Sequence, residues 1–550
     1  MEIKHLVLVG FGFLILYAYV VMFDQDVSLP ATIANPSPNK LAPGTPMLND
    51  SLANFTGICR GWCPPKLTSL DRIVTALDCS VNTLNDRLRV ALQLENCGPA
   101  IQSPENTRLV ETKLLKLAQY DAFVFFRGAA GFFNVDNMCS AKNESDGGFT
   151  SIPRVVSNGD AHPENFGTQV MVNGGLVWGV NDFDQSFSTP FTWDLRRGAT
   201  GAMVACVVRG WNQDVCRQSA NAYIQSYLSI ASNYHSEFIL YNNDRFIEGS
   251  VASNTNPLLK KVFERARQAE TDAEVLTWLE EKLSVDTKND RFYETEESKP
   301  LPADSIPDFQ AAIDAYLFHG VPALMLYPPG EFWEVKSVAR RLGKGTGSVG
   351  LDRYYVLLRG KKSSYGGRIV LQMKQEAHSL LEMFFRYKYT ESEQGKRAVD
   401  AERGAYPYAN PFFGWTNFEG HAFIIQEMSK HAKSIKIEFL TASEYIDYSQ
   451  LCGRALAFYH FKMTCGTPTC GLKDRSDVDV ETWEAVSDYI RSMGVSQFRN
   501  QVTSFVFTES EYQMLGWEHL RSMVRQKQLA GKSPIELLNF QLPGEQSLCQ

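Results

Sequence analysis

Two short segments gather side chains that can hold a hard cation. The first carries Asp160, His162 and Asn165 inside Asn158-Gly159-Asp160-Ala161-His162-Pro163-Glu164-Asn165, and the second carries Asn181, Asp182 and Asp184. Carboxylate and amide oxygens on converging loops suit Mg²⁺, which keeps several waters and usually binds a substrate phosphate as well. The intervening apolar stretch turns at Asn173-Gly174-Gly175 and reads as a hairpin, which would return Asp182 to the mouth occupied by Asp160 and Asn165. Farther on, Gly345-x-Gly347-x-x-Gly350, with Ser348 inside it, precedes two strand-like runs, 354–360 and 367–374, the second ending on Lys374. A glycine-rich loop followed by a strand, with a lysine on the next strand, fits a flexible cover over ATP phosphates and does not fit a dinucleotide fold.

Each group also has a plainer role. Asp160 and Asn165 could cap their own loop, as Asp and Asn often do, but two acidic clusters bracketing one hairpin favour a site. His162, beside Asp160, suits a packing or hydrogen-bonding brace better than a metal ligand. Asp184 is either a second ligand or a loop acid, and Lys374 either binds phosphate or ends a strand in solvent. Glu376, Asp400 and Glu402 compete as the carboxylate that would orient Lys374.

The elements that must position these groups lie in a chain of 550 residues, 44% hydrophobic and 21% charged, with the composition of a globular protein. A formal charge of -8 argues against nucleic acid as the main partner. Helical patterns occupy 66–126, the region from Asp194 to Ile230, and the charged amphipathic region 257–284; the polar stretch 285–305 reads as a loop. At the start, Leu6–Phe23 is an uncharged apolar run near the lower length limit for crossing a bilayer, longer than a usual signal core and without a small-x-small site directly after it. Residues 1–23 are therefore expected to be a transmembrane signal anchor, with 24–65 a Pro/Ser-rich stem. Lys4 before the run and Asp24 and Asp26 after it leave the bulk outside the cytosol.

Glycosylation sequons at Asn49, Asn54 and Asn143 agree with a lumenal or extracellular body. Eleven cysteines, crowded at 59–139 and 452–470, are expected to pair largely as disulfides in such a compartment, with at least one left over. Cys206, within an apolar stretch, reads as a buried thiol. Zinc spacing is lacking at Cys59 with Cys63 and at Cys465 with Cys470.

The segments FFRGAAGFF, NGDAHPENFG, VNDFDQSFSTPFTWDLRR, GKGTGSVGLDRYYVLLRG, LQMKQEAHSL, NPFFGWT and LCGRALAFYH, in that order across roughly 100–470, resemble the domain-of-unknown-function 2252 family. That resemblance brings Arg127 and His460 forward as further site residues. GDAHPENFG followed by NDFD is also similar to the phosphotransferase loop of the aminoglycoside phosphotransferase and choline kinase families. The similarity implies Asp160 as catalytic base and Asn165 and Asp182 as metal ligands; His162 beside the base and Asp184 as a second ligand complete the expected site. Gly345, Gly347, Ser348, Gly350 and Lys374 would bind the nucleotide, and Asp194 would be a buried brace on the loop. In those families the glycine-rich loop and lysine come first; here they follow the catalytic loop. The implied fold is α+β, a kinase-like two-lobe architecture in circularly permuted order. A catalytic-loop lobe (66–330) is followed by a glycine-rich β lobe (331–430) and a C-terminal helical part (431–550), with ATP and Mg²⁺ as cofactors and a hydroxyl-bearing acceptor.

Three functions compete at this level. The first is an ATP- and Mg²⁺-dependent phosphotransferase, which needs positioning, charge neutralisation and a carboxylate to orient the acceptor. The second is a metal-dependent phosphoesterase, for which the nine histidines are too scattered. The third is a catalytically silent nucleotide-binding scaffold.

Overall fold

The computed structural model describes residues 84–96, 104–142, 152–232, 246–267, 272–327, 332–342, 351–359, 367–383, 389–406, 409–462 and 480–538. These fall within one compact unit, Ser51–Gln550. The expected anchor and stem, the three sequons, Cys59, Cys63, Cys79, Cys97, Cys465, Cys470 and the glycine-rich turn with Gly345, Gly347, Ser348 and Gly350 lie outside the described residues. No described helix is long and apolar enough to cross a membrane.

Four helices come first: α1 (Leu84–Asn96), α2 (Pro104–Gln119), α3 (Ala122–Gly128) and α4 (Ala130–Lys142). Asp121 starts α3 by accepting the Val124 amide at 2.9 Å, an N-cap that satisfies one orphan donor of the first turn. Strands β1 (Arg154–Ser157), β2 (Phe166–Val170), β3 (Leu176–Val180) and β4 (Phe187–Pro190) follow as two antiparallel pairs, β1 with β4 and β2 with β3. Next come α5 (Thr192–Val208) and α6 (Gln213–Ala231), separated where Gly210 takes φ 76° and Asn212 caps α6. The small helices α7 (Val251–Thr255), α8 (Pro257–Ala266) and α9 (Asp272–Leu283) lead to a short hairpin, β5 (Val285–Asp286) with β6 (Arg291–Phe292).

The stretch read as a loop at 285–305 thus carries strands, and β7 (Ser298–Pro300) joins a larger sheet by pairing with β8 (Glu334–Arg341). Its polar composition suits an edge strand, which keeps one flank in water. Helix α10 (Ile306–Phe318), β9 (Arg353–Arg359), β10 (Arg368–Gln375), α11 (Gln394–Ala405), β11 (Gly414–Phe418) and β12 (His421–Glu427) complete this part. The six strands run antiparallel in the order β11-β12-β10-β9-β8-β7. Alternation gives the sheet two different faces. Ile369, Leu371, Met373, Val356 and Ile425 pack under α10, whereas Val370 and Leu357 join the α9 cluster on the opposite side.

Helices α12 (Ala442–Lys462), α13 (Val480–Met493) and α14 (Val495–Leu529) return to the early part of the chain: α12, α13 and the start of α14 join the main core, and the end of α14 packs with α1 and α2 in a second one. Helix α12 lies along α6 because Gly453 has no side chain; a Cβ there would stand 2.1 Å from the Tyr223 carbonyl oxygen. Cys206 is a disulfide partner of Cys216, not the buried thiol its apolar surroundings suggested. The break between α5 and α6 folds the two cysteines onto each other. The free cysteine among the described residues is the buried Cys452.

Candidate active site

The hairpin β2–β3 does what its turn chemistry dictates. Gly174 takes φ 77°, Met171 and Gly175 close the turn with a 2.8 Å bond, and Phe166 comes to lie opposite Val180. The Asn181 amide therefore donates to the Asn165 carbonyl at 3.0 Å, and the two sequence clusters meet at one end of the hairpin. A second close approach seals them together. Gly159, at φ 82°, lies where a Cβ would stand 2.3 Å from the Gln185 carbonyl oxygen, so a glycine is required both by backbone and by space.

Beneath this junction sits Asp194, fully buried on the first turn of α5. Its two carboxylate oxygens accept the amides of Asn158 at 2.6 Å and Gly159 at 2.9 Å, the brace implied by the kinase-like resemblance. His460 of α12 approaches the same carboxylate at 3.2 Å through Nε2, while Tyr227 bonds its Nδ1 at 2.8 Å. An imidazole that takes the Tyr227 hydroxyl on Nδ1 and turns Nε2 to the carboxylate satisfies both contacts. His460 thus positions the loop from behind.

Asp160 is held from within by Arg197, whose Nε and Nη2 donate to Oδ1 at 3.0 and 2.8 Å. Arg197 is itself fully buried, gives a further bond to the Phe126 carbonyl and stacks 3.7 Å above the Phe126 ring. Burial raises the Asp160 carboxyl above its ordinary value, and Arg197 pulls against that rise. His162 lies 3.5 Å from the second carboxylate oxygen and accepts the Glu164 amide on Nδ1. Burial holds its pKa well below the ordinary value, so His162 is a neutral brace that presents Nε2–H to Asp160. Arg127 pairs with Glu164 at the rim of the same pocket.

Asn165 donates its side-chain amide to the Asp160 carbonyl at 2.9 Å, which leaves its amide oxygen available. Asp182 stands in the left-handed region at φ 59° with its side chain 53% exposed, a conformation that non-glycine residues adopt at a cost and that clusters at functional sites. Asp184 pairs with Lys374 yet keeps one buried carboxylate oxygen without a partner.

Lys374 is buried against the loop, which removes the alternative of a solvated strand end. Its ammonium lies 3.8 Å from Asp182 Oδ1 and 3.8 Å from Glu376 Oε1 in addition to the Asp184 pair. Of the three carboxylates that competed to orient it, Glu376 is the one beside it; Asp400 pairs with Lys396, and Glu402 is buried farther along the cavity wall. Burial, opposed by Lys374 and then Arg397, pushes Glu376 up to about 7, and burial pushes Glu402 up to about 8.

Arg397 of α11 had no place in the sequence reading. Buried behind the loop, it donates to the carbonyls of Ser186 at 2.6 Å, Asp184 at 2.7 Å and Ala377 at 3.3 Å. Gln185 adds bonds to Ser379 and to the Leu380 amide. The acidic loop is thereby tied to the chain that leaves β10. A signal existed for Arg197, an arginine within a helical stretch otherwise rich in apolar and small residues, where burial calls for a carboxylate or carbonyls to receive it; Arg397, among Lys396, Asp400, Glu402 and Arg403, carried none.

Asp160, His162, Asn165, Asp182, Asp184, Lys374 and Glu376 line one cavity of about 580 Å³ between the β2–β3 region and the sheet, with Asp194, Arg197, Arg397 and His460 outside its lining. The sequence profile of an uncharacterized protein family conserved in bacteria, DUF2252, matches residues 106–522, most of the chain. The chain belongs to the DUF2252 family. No curated protein and no solved structure matches this DUF2252 member. The family match spans every described strand and every residue of the cavity wall named above.

Proposed function

We propose that this DUF2252 member is an ATP- and Mg²⁺-dependent phosphotransferase of permuted kinase-like architecture that acts on a hydroxyl-bearing acceptor. The observation that carries the proposal is the shared cavity. Asp160, Asn165 and Asp182 from one part of the chain and Lys374 from another converge on it.

The donor set suits Mg²⁺. Asn165 has an amide oxygen to offer, Asp182 is exposed to the cavity, and Asp184 keeps a buried oxygen that lacks a protein donor. These oxygens are hard ligands, and the ion would supply charge neutralisation at the phosphates. Lys374 would neutralise phosphate charge from the sheet side. Asp160, with a carboxyl raised by burial and fixed by Arg197, would receive or orient the acceptor's proton. His162 would keep that carboxylate aligned. A phosphoesterase would direct histidines at metal, whereas His162 and His460 are both committed to hydrogen bonds with the protein.

Calorimetry with ATP and Mg²⁺ on the wild type, Asp160→Asn and Asp182→Asn tests the proposal. Asp182→Asn is expected to weaken metal-dependent nucleotide binding. Asp160→Asn is expected to leave binding nearly intact and to lower turnover roughly 10²- to 10⁴-fold, the range for loss of a positioned base. Equal loss of binding in both variants, with both folded, would make the two acids one metal cluster and put a phosphoesterase in first place. Absence of any ATP binding by the wild type overturns the proposal.

The body is proposed to face the secretory lumen or the cell exterior, anchored by residues 1–23. The Cys206–Cys216 disulfide supports this, since such bonds persist in oxidising compartments.

A further inference from the structure

The β2–β3 hairpin meets the end of α11 at Val180. The Val180 amide donates to the Tyr406 hydroxyl at 2.9 Å, and the Val180 carbonyl receives the Gln169 side chain through Nε2 at 3.3 Å. Only nitrogen can donate to a carbonyl, so this contact fixes the orientation of the Gln169 amide and leaves its Oε1 buried without a donor. Glu402, whose carbonyl accepts the Tyr406 amide at 2.7 Å, is buried in the same corner. The Asn410 side chain bonds the Glu402 carboxyl, yet Oε1 of that carboxyl has no partner. Asn410 is itself tied to the hairpin, its amide donating to the Val170 carbonyl at 2.6 Å, and it holds a left-handed φ of 46°. Gln169, Glu402 and Asn410 all line the cavity.

Buried polar atoms left unbonded are costly, and a ligand that bonds them recovers that cost. The two oxygens differ in what they need. Gln169 Oε1 can only accept. Burial, opposed by the Asn410 bond and by Arg403, pushes Glu402 up to about 8, so its carboxyl keeps a proton at neutral pH. With Asn410 donating to one oxygen, the other is free to donate in turn. Glu427 lines the cavity as well; burial pushes it up to about 7, so near neutrality it is divided between its two forms and offers no fixed donor. The Gln426 amide is directed to Gln372 at 3.1 Å. Val170, Phe413, Ile424 and Met428 add apolar lining. One acceptor and one donor in a partly apolar cavity match the hydrogen-bonding edge of a nucleobase, which in adenine consists of the 6-amino group and N1.

The structure assigns Gln169 and Glu402 to reading the base of the bound nucleotide, Gln169 Oε1 accepting from the 6-amino group of adenine and the Glu402 carboxyl donating to N1. This deepens the phosphotransferase proposal and rests on its nucleotide. Both are specificity residues that bind the base and take no part in phosphoryl transfer.

The test measures the affinities of three ligands with Mg²⁺: ATP, purine riboside triphosphate, which lacks the 6-amino group, and tripolyphosphate, which lacks the base. The proteins are the wild type, Gln169→Met, Glu402→Gln, Glu402→Met and Glu427→Gln, with circular dichroism to establish folding. The wild type is expected to prefer ATP to purine riboside triphosphate by roughly five- to a hundredfold, the effect of leaving a buried acceptor without its donor. Gln169→Met is expected to bring those two affinities together and to leave tripolyphosphate unchanged, whereas a merely loosened fold would weaken all three. Glu402→Gln keeps a neutral donor and is expected to bind ATP as the wild type does; Glu402→Met is expected to weaken both base-bearing ligands and to spare tripolyphosphate. The Glu402 pair decides the matter if Gln169→Met does not fold. Equal binding of ATP and purine riboside triphosphate by the wild type overturns the inference and leaves the phosphotransferase proposal standing. So does a folded Gln169→Met that keeps the wild-type ratio, or a folded Glu427→Gln that loses it. If the wild type binds none of the three ligands, both fall together.

Discussion

Arg197 and Asp160 form a pair in which each explains the other's surroundings. A guanidinium with no exposure needs a partner, and Asp160 supplies it from the edge of the cavity. In its proposed role as base Asp160 works only when deprotonated, so turnover should rise with pH through its pKa, which burial has raised from the ordinary value. Removing the cation lifts it further. Arg197→Met should therefore move the acid limb of the kcat/KM profile to higher pH, and Arg197→Lys should move it less; a pH-rate series on both variants is the measurement. The same change leaves Asp160 without its countercharge and should cost stability on the order of 3 kcal/mol, read by urea unfolding.

Glu402 makes a separate prediction. Its carboxyl goes from about 4.5 in an ordinary setting to about 8 in the fold, so the folded state keeps a proton across a window in which the unfolded chain has lost it. Its contribution to stability is fully present below about 4.5 and declines as pH rises toward about 8. Glu402→Gln should flatten that decline, giving a higher Tm than wild type at pH 8 and little difference at pH 5. A parallel fall of Tm with pH in both proteins would rule Glu402 out as its source.

At the scale of elements, the helix pair α6–α12 depends on one missing methyl group. Gly453→Ala drives a Cβ toward the Tyr223 carbonyl and should destabilise by roughly 1–3 kcal/mol or more, because backbone cannot move aside as a side chain can. Since α12 also carries His460, the variant should weaken nucleotide binding only as far as the loop behind Asp194 loosens. Thermal unfolding and ATP calorimetry on the same preparation separate these effects.

Much of this level was legible beforehand. The Asn-Gly turn located the hairpin, and short continuous runs of β-type apolar residues located β9 and β10. What sequence could not supply was pairing across distance: Lys374 with Asp184, Arg397 with three carbonyls, and Glu376 in preference to Asp400 or Glu402. Each is set by how the sheet docks, which no local pattern encodes. The strands at 285–300 were hidden for another reason. Strands this short, at an edge and rich in charge, carry too little alternation to be distinguished from a loop.

Over the whole molecule, the disulfide is the feature most exposed to environment. Cys206 and Cys216 close a short loop at a helix junction, and chain-entropy arguments assign such a link roughly 2–3 kcal/mol. Peptide mapping without reductant should recover the cross-linked pair from material made in a secretory compartment, and Cys206→Ser with Cys216→Ser should lower its Tm. Recovery of both as free thiols from the native source would argue for a reducing compartment and against the proposed orientation. The sequence showed eleven cysteines but not this pairing, because ten residues of separation around a helix break carry no spacing rule.

The stapling of the acidic loop by Arg397 has a consequence for the order of events during synthesis. Asp182 and Asp184 leave the ribosome long before Lys374, and Arg397 comes later still. Until then the nascent chain holds a cluster of carboxylates with no cation from the sheet to receive them and no donor for the carbonyls of Asp184 and Ser186. The early segment cannot adopt its final loop alone, and the site closes only once the second contributor has been translated and folded against it. Fragments that stop short of α11 should therefore carry the acidic signature in their sequence and no working pocket in their structure.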